Sequence, residues 1–351
     1  MKESHIAEAA REYLGAGTVK SSRDLAVAIC RCGELLDLWP LGGLTLSHLR
    51  RLSTKAVRKE CYRTFSIPKR SGGARQIAAP TGRLRDIQRA INLLLQARVG
   101  VMECATGFVC GRSVTDNALP HIGSHVVVNL DIENFFPSVT KRMVRESLKR
   151  ETREWLESHE AVNMLCSLVS MPDGEKGEML PQGAPSSPMI SNIVLGRLDR
   201  RLAGFARERG YAYTRYADDL TLSGREIRKM SAADMTLIER IVAEEGFKLN
   251  RRKIKQQGAG HRQSVTGLTV NERINVSRDF VKNLRVCLHL WETRGYEEAS
   301  GIYRRDFRGG EDVDFARAIK GKINYIAMVK GRRDPVFMAF SRRLRLLTGR
   351  K

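Results

Sequence analysis

The sequence predicts an α+β fold in which helical segments surround an antiparallel sheet, and three stretches carry that prediction. Tyr213-Thr-Arg-Tyr-Ala-Asp-Asp-Leu-Thr-Leu222 alternates with period two around an Ala-Asp-Asp turn, the pattern of a β-hairpin. Val126-Val-Val-Asn-Leu-Asp-Ile132 is a nearly continuous apolar run of buried-strand type that stops where an acidic residue appears. In the first sixty residues, and again from Phe280 onward, apolar positions recur at helical spacing.

Taken in order, Leu25, Val27, Ile29, Leu35, Leu36 and Leu38 predict a helical N-terminal layer ending near Trp39-Pro40-Leu-Gly-Gly43. Phe65-Ser-Ile-Pro-Lys-Arg-Ser-Gly-Gly-Ala-Arg-Gln-Ile77 reads as strand, Gly-rich turn and strand, with Lys69, Arg70 and Arg75 crowding the hairpin. Basic residues of this kind also guard exposed strand edges. After Pro80, an amphipathic helix runs through Leu84, Ile87, Ile91, Leu94 and Leu95. Beyond the 126–132 strand, helical pattern covers Met143 to Trp155 and Val162 to Val169. Pro172, Asp173 and Gly174 predict a loop, and a helix follows from Met189 to about Phe205. Past the acidic hairpin come a helix from Ala232 to Glu245, short strands to about Val276, and a basic helical region.

Lys and Arg total 61 against 39 Asp and Glu, a net charge of +22 over 351 residues. That balance predicts a nucleic-acid partner, with anionic membrane as the rival explanation. No apolar run approaches the roughly 20 residues that span a bilayer. The charged opening Met1-Lys-Glu-Ser-His lacks the apolar core of a signal peptide, so a cytoplasmic protein with no membrane partner is expected. Seven cysteines, Cys30, Cys32, Cys61, Cys104, Cys110, Cys166 and Cys287, show no Cys-x-x-Cys spacing and are expected as reduced thiols. Metal chemistry should therefore run through oxygen ligands.

Asp131 ends one predicted strand, and Asp218 and Asp219 crown a hairpin. If the two strands lie side by side, three carboxylates meet at one sheet edge. Like charges at short range raise one another's pKa. Two Mg²⁺ ions roughly 3.5–4 Å apart are the usual solution in enzymes that displace groups in line at phosphorus.

Asp131-Ile-Glu-Asn-Phe-Phe136, Leu180-Pro-Gln-Gly-Ala-Pro-Ser-Ser-Pro188 and Tyr216-Ala-Asp-Asp219 resemble, in order and spacing, the palm motifs of a bacterial reverse transcriptase. Gly246-Phe-Lys-Leu-Asn-Arg-Arg-Lys253 resembles the next motif of that series, and Phe65 to Lys69 with Arg75 resembles the family's fingers; the likeness covers about residues 60 to 275. Asn117-Ala-Leu-Pro-His121 and Val265-Thr-Gly267 resemble two motifs that mark retron reverse transcriptases. Alone, the first also fits a helix cap with a packed histidine, and the second is ordinary strand vocabulary.

The resemblance implies a right-hand polymerase with an antiparallel-sheet palm, mixed fingers and a C-terminal helical thumb. The expected divisions are an N-terminal helical layer at 1–60, fingers at 61–125, palm at 126–276 and thumb at 277–351. It implies that Asp131 and Asp218, with the Ile132 carbonyl, hold two Mg²⁺ ions (Mn²⁺ as the alternative), and that Asp219 is the weaker third carboxylate. Phe136 is expected to act as the steric gate against a 2′-hydroxyl, unless it is Phe135 that faces the pocket and Phe136 the core. Lys69 and Arg75 are expected to neutralise the incoming deoxynucleoside triphosphate, and Gln182-Gly183 to shape the pocket floor. Lys253 is expected near the leaving pyrophosphate, or as a surface lysine.

Phe315 to Ile326, which contains Lys322, resembles the family's thumb helix, and the segment after Lys330 is amphipathic with Arg342, Arg343 and Arg345 on its cationic face. These residues, with Asn117, His121, Val265, Thr266 and Gly267, are the expected RNA contacts. The partners implied are a structured non-coding RNA from the same locus (msr-msd) and its DNA product. Synthesis is expected to start at a guanosine 2′-hydroxyl and give single-stranded DNA branched from RNA (msDNA). A separate effector or toxin protein and a role in antiphage defence are also implied. The alternatives are a group II intron-like or other defence-associated reverse transcriptase, and an RNA-binding scaffold that restrains a toxin.

Overall fold

Caps and turn residues set where the elements begin and end. The computed structural model describes residues 3–15, 17–39, 43–68, 72–173, 177–227, 229–307 and 313–349. Four helices open the chain, α1 (Glu3–Leu14), α2 (Ser22–Leu35), α3 (Leu46–Ser53) and α4 (Lys55–Glu60). Ser21 caps α2 by accepting the Asp24 amide, and Thr45 and His48 form a capping box on α3. Strands β1 (Tyr62–Pro68) and β2 (Ala74–Pro80) pair antiparallel, with Tyr62 opposite Pro80 and Pro68 opposite Ala74. Helix α5 (Gly82–Arg98) then buries Leu84, Ile87, Ile91, Leu94 and Leu95, the face its spacing predicts.

Helix α6 (Val114–Ala118) and a short 3-10 turn lead into β3 (Val126–Asp131), followed by α7 (Phe135–Ser138), α8 (Lys141–Glu151) and α9 (His159–Val169). Trp155, expected inside a helix, lies beyond α8. That helix ends at Thr152, whose hydroxyl bonds back to the Leu148 carbonyl at 2.7 Å. Pro172 and Asp173, expected in a loop, belong to β4 (Met171–Asp173), which pairs with β5 (Gly177–Met179); Gly174 lies outside the described residues. Arg58 and Lys141 both hold Glu178 of β5, a long-range anchor that local turn vocabulary does not reveal.

Helix α10 (Ser187–Arg209) stops at Gly210, whose φ of 72° suits a residue without Cβ. Strands β6 (Tyr211–Tyr216) and β7 (Asp219–Gly224) form the acidic hairpin. Then come α11 (Ala232–Glu244), β8 (Lys255–Gly258), β9 (Ser264–Val265), β10 (Leu268–Thr269), α12 (Arg278–Ile302), α13 (Phe315–Lys330) and α14 (Pro335–Leu347). The fold is α+β, and the four-stranded sheet has the order β6-β7-β3-β8.

The chain divides into two compact units. The first comprises Met1–Ser113, Asn129–Thr221 and Met230–Ile254, the second Val114–Val128, Leu222–Lys229 and Lys255–Lys351, so β3 and β7 each run from one unit into the other. The first unit is centred on α5, α9 and α10, where Ile87, Ile91, Leu165, Leu168, Leu195 and Leu198 are fully buried. In the second, Val265 and Leu268 join Leu284, Leu288, Trp291, Phe315, Ile319 and Ile323 in one cluster. All seven cysteines are free thiols. Among the described residues, no helix is long and apolar enough to cross a membrane.

Candidate active site

The acidic hairpin turns through two residues, Ala217 and Asp218, between β6 and β7. Ala217 has φ 56°, and its carbonyl accepts from the guanidinium of buried Arg215 at 3.1 Å. The Ile132 amide donates to the Asp218 carbonyl at 3.2 Å, and Thr221 bonds to Asn129 at 3.2 Å. These two links run in opposite senses along the chain, so β7 lies antiparallel to the end of β3 and brings Asp131 to the turn. On the other side of Ile132, Asn250 N donates to the Asp131 carbonyl and Glu133 N to the Lys248 carbonyl, both at 2.8 Å. Ile132 sits between those bonds, and this bridge does not engage its carbonyl.

Electrostatics show that the three carboxylates feel one another. Burial, with the Asp131 charge, pushes the Asp218 carboxyl above its usual range, while a backbone hydrogen bond, Lys253 and Arg75 act in the opposite direction. Partial desolvation, then the Asp218 and Asp131 charges, push Asp219 up to about 6. The Lys253 ammonium donates to both Asp131 oxygens, at 2.9 and 3.0 Å, which holds that lysine above its ordinary range. Lys253 is thus a member of the site, although its stem is half-exposed.

The three carboxylates come from two neighbouring segments, Asp131 at the end of β3 and Asp218 and Asp219 at the turn into β7. Among the described residues, no group of three or more His, Cys, Asp or Glu side chains is arranged to hold a metal ion. Asp218 is a turn residue and Asp219 the first of β7, and Asp131 is drawn to Lys253. The donors nonetheless suit a hard divalent ion. Mg²⁺ is usually held by one or two carboxylates plus substrate phosphates, and mutually repelling carboxyls gain most from such a charge.

A cleft of about 850 Å³ opens over Asp131 and Asp218, lined also by Phe136, Gln182, Arg75 and Lys253. Phe135 is buried, packing on Phe247 with ring centroids 5.8 Å apart, whereas Phe136 is half-buried at the cleft. Both rings line the cleft, and Phe136 is the more exposed of the two. The Gln182 carbonyl accepts from Ala78 N at 2.8 Å, tying the loop to β2. Gly183 has φ 113°, and a Cβ there would stand 2.8 Å from Ile77 Cγ2, so close approach and backbone conformation both require glycine. Arg75 is exposed on β2, opposite Ile67. Lys69 lies outside the described residues.

Residues 67–270 match the reverse transcriptase (RNA-dependent DNA polymerase) family. The retron Mx65 reverse transcriptase of Myxococcus xanthus is 40% identical over 301 residues, 82% of this chain and 66% of that protein. The retron Mx162 enzyme of the same organism is 35% identical, over 79% of this chain and 60% of that one. The retron Ec86 reverse transcriptase of Escherichia coli is 32% identical, over 65% of this chain and 69% of its own. The chain belongs to the retron reverse transcriptases. It spans less than two thirds of the length of the two Myxococcus relatives.

For a reverse transcriptase, the residues expected to meet RNA are placed unevenly. Asn117, His121 and Val265 are wholly buried, so their side chains build the interior of the second unit and do not present a surface. His121 bonds Ser223 at 2.7 Å, and Ser124 bonds the same hydroxyl at 3.0 Å. Thr266 and Gly267, expected in a strand, are the two-residue turn between β9 and β10, with φ of 46° and 84°. Positive φ at both positions is what a type I′ hairpin turn requires. Lys322 lies over the Tyr303 ring, 4.8 Å from its centroid, and Arg343 is paired with Glu292 through two bonds of 2.6 Å. Arg342 and Arg345 are exposed.

Sequence reading missed the support beneath the acidic turn. Arg215 reads as one more alternating strand residue, yet it is fully buried and bonded to Asp199 and Asn192 on α10. An arginine on the inward side of a buried strand was the available signal.

Proposed function

We propose that this chain is a divalent-metal-dependent RNA-directed DNA polymerase that copies a structured RNA of its own locus. The observation that carries the reading is the meeting of Asp131 with the Ala217-Asp218 turn, through the Ile132 to Asp218 bond, at the floor of the cleft that Phe136 lines. Asp131, Asp218 and the Ile132 carbonyl are the groups to hold Mg²⁺, or Mn²⁺, with Asp219 as an outlying third carboxylate. Such ions, when bound, supply Lewis acidity to the phosphoryl oxygens and charge to the departing pyrophosphate.

The chain's own residues do the rest. Phe136 excludes a 2′-hydroxyl from the sugar position. Arg75, with Lys69, offsets the charge of the triphosphate. Gln182 and Gly183 let the nucleotide approach the backbone. Lys253, already donating to Asp131, is placed to give a proton to pyrophosphate once that carboxylate has another partner.

Membership of the retron family supports a finer reading. The RNA primes from a guanosine 2′-hydroxyl, the product is msDNA joined by a 2′,5′ branch, and the system serves antiphage defence with a separate effector protein in the cytoplasm. The test is to recover nucleic acid bound to the protein expressed with its flanking DNA, then treat it with RNase and a debranching enzyme. A discrete single-stranded DNA whose mobility shifts on debranching is expected. Linear products from any primed template would instead point to an intron-like enzyme, and bound RNA without DNA to a scaffold.

A further inference from the structure

Arg215 makes one contact that stability alone does not call for. Its side chain and that of Asp199 are fully buried. They are joined twice, Nε to Oδ1 at 2.8 Å and Nη2 to Oδ2 at 2.7 Å. The remaining arm, Nη1, donates to Asn192 Oδ1 at 3.0 Å and to the Ala217 carbonyl at 3.1 Å. Ala217 is held at φ 56°, a left-handed conformation that disfavours a residue with Cβ.

A second segment closes on the turn. Thr106 N donates to the Arg215 carbonyl at 2.8 Å, and Asn192 Nδ2 donates to the Gly107 carbonyl at 3.1 Å. A Cβ on Gly107 would stand 2.5 Å from Ala217 N, so this backbone packs directly on the turn. The turn backbone is therefore fixed by a guanidinium at its carbonyl and by the Gly107 strap at its amide.

Burying an ion pair carries a large desolvation cost, and apolar residues of similar volume often serve stability as well or better. What an apolar pair cannot supply is a donor to the Ala217 carbonyl. We propose that Arg215 is a positioning residue of the active site: clamped by Asp199 and Asn192, it holds the Ala217 carbonyl and so sets the direction in which Asp218 is presented. The inference rests on the polymerase reading of Asp218, and it adds a reason for an arginine at this place in the strand.

The test compares Arg215→Lys with Tyr213→Phe. The Tyr213 hydroxyl donates to the same Asp199 Oδ1 at 2.9 Å, and its removal loosens the network without touching the Ala217 bond. Primer-extension kinetics, Tm and amide hydrogen exchange of the 211–224 peptide are read for each variant. In Arg215→Lys, kcat falls about a hundredfold with KM for the nucleotide little changed, as expected of a displaced catalytic group. Exchange at the turn rises about tenfold, because a local anchor is lost. Tyr213→Phe lowers Tm but keeps both kcat and turn exchange close to those of the unaltered chain.

Should Arg215→Lys not fold, Asn192→Ser removes the acceptor that steadies Nη1, and the same split is expected at about a tenfold fall in kcat. Activity that tracks Tm alike in all variants, or turn exchange unchanged in Arg215→Lys, overturns the proposal. An unaltered chain that incorporates no deoxynucleotide sinks the polymerase reading instead, and turn exchange still decides whether Arg215 anchors the turn.

Discussion

Phe136 is half-buried at the cleft that Asp131 also lines, while its neighbour Phe135 is buried against Phe247, and the proposed role of Phe136 is to gate the sugar. Replacing it by alanine opens room for a 2′-hydroxyl. Phe136→Ala is expected to raise the kcat/KM for ribonucleotides relative to deoxynucleotides by about ten- to a hundredfold, the range for one group in a pocket. Single-nucleotide incorporation with matched substrates checks this, and an unchanged ratio removes Phe136 as the gate. His121 supplies a second residue-scale expectation. Burial holds its imidazole down to about 4, below the usual 6.5. Between those values the unfolded chain takes up a proton that the folded chain refuses, so the folded state loses stability as pH falls from about 6.5 to 4. The slope is at most about 1.4 kcal/mol per pH unit. His121→Gln should flatten this part of the stability profile, measured by denaturant unfolding across that window; an unaltered profile would show that other groups set it.

Among the elements, those whose pattern is local were legible in the sequence. The period-two alternation around Ala217-Asp218 announces β6 and β7, and the spacing of Leu84, Ile87 and Ile91 gives the buried face of α5. Elements defined by distant partners were not. The strand at Met171–Asp173 depends on β5 and on Arg58 and Lys141 holding Glu178, none of which its Pro-Asp-Gly vocabulary shows. Thr266-Gly267 reads as strand because Val and Thr favour strands, yet Leu268 pairs back on Val265 and leaves the two residues to turn. Asp131, Asp218, Phe136 and Gly183 were found as motif residues. The Arg215 to Asp199 clamp was invisible because the two lie on different elements, and their contact is decided by packing. The β9–β10 turn can itself be probed. Thr266→Asn places a residue that favours positive φ at the first turn position, and about 0.5 kcal/mol of added stability is expected. A loss of stability would mean that the Thr266 bond to the Val114 carbonyl matters more than the backbone preference.

At the scale of the whole chain, the proposed RNA partner and a net charge of +22 together predict binding that weakens steeply with salt. The basic residues of α14 do not all contribute alike. Arg343 is paired with Glu292, whereas Arg342 and Arg345 are exposed. Neutralising Arg342 and Arg345 together should weaken RNA binding similarly across sequences and reduce the slope of log K against log salt by roughly 1.4 to 1.8, for two phosphate contacts. Filter binding over a salt series measures this, and an unaltered slope places the RNA elsewhere. Membership of the retron reverse transcriptases fits this charge, and the chemistry claimed for the molecule rests on Asp131 and the turn that faces it.

The most direct measurement is deoxynucleotide incorporation on an RNA template-primer by the purified chain, over a Mg²⁺ titration, beside the Asp218→Asn, Asp219→Asn double variant. Mg²⁺-dependent synthesis by the unaltered chain is expected, with a fall of about a thousandfold or more in the variant and Tm maintained or raised because two mutually repelling carboxylates are gone. Synthesis undiminished in a folded variant would contradict it.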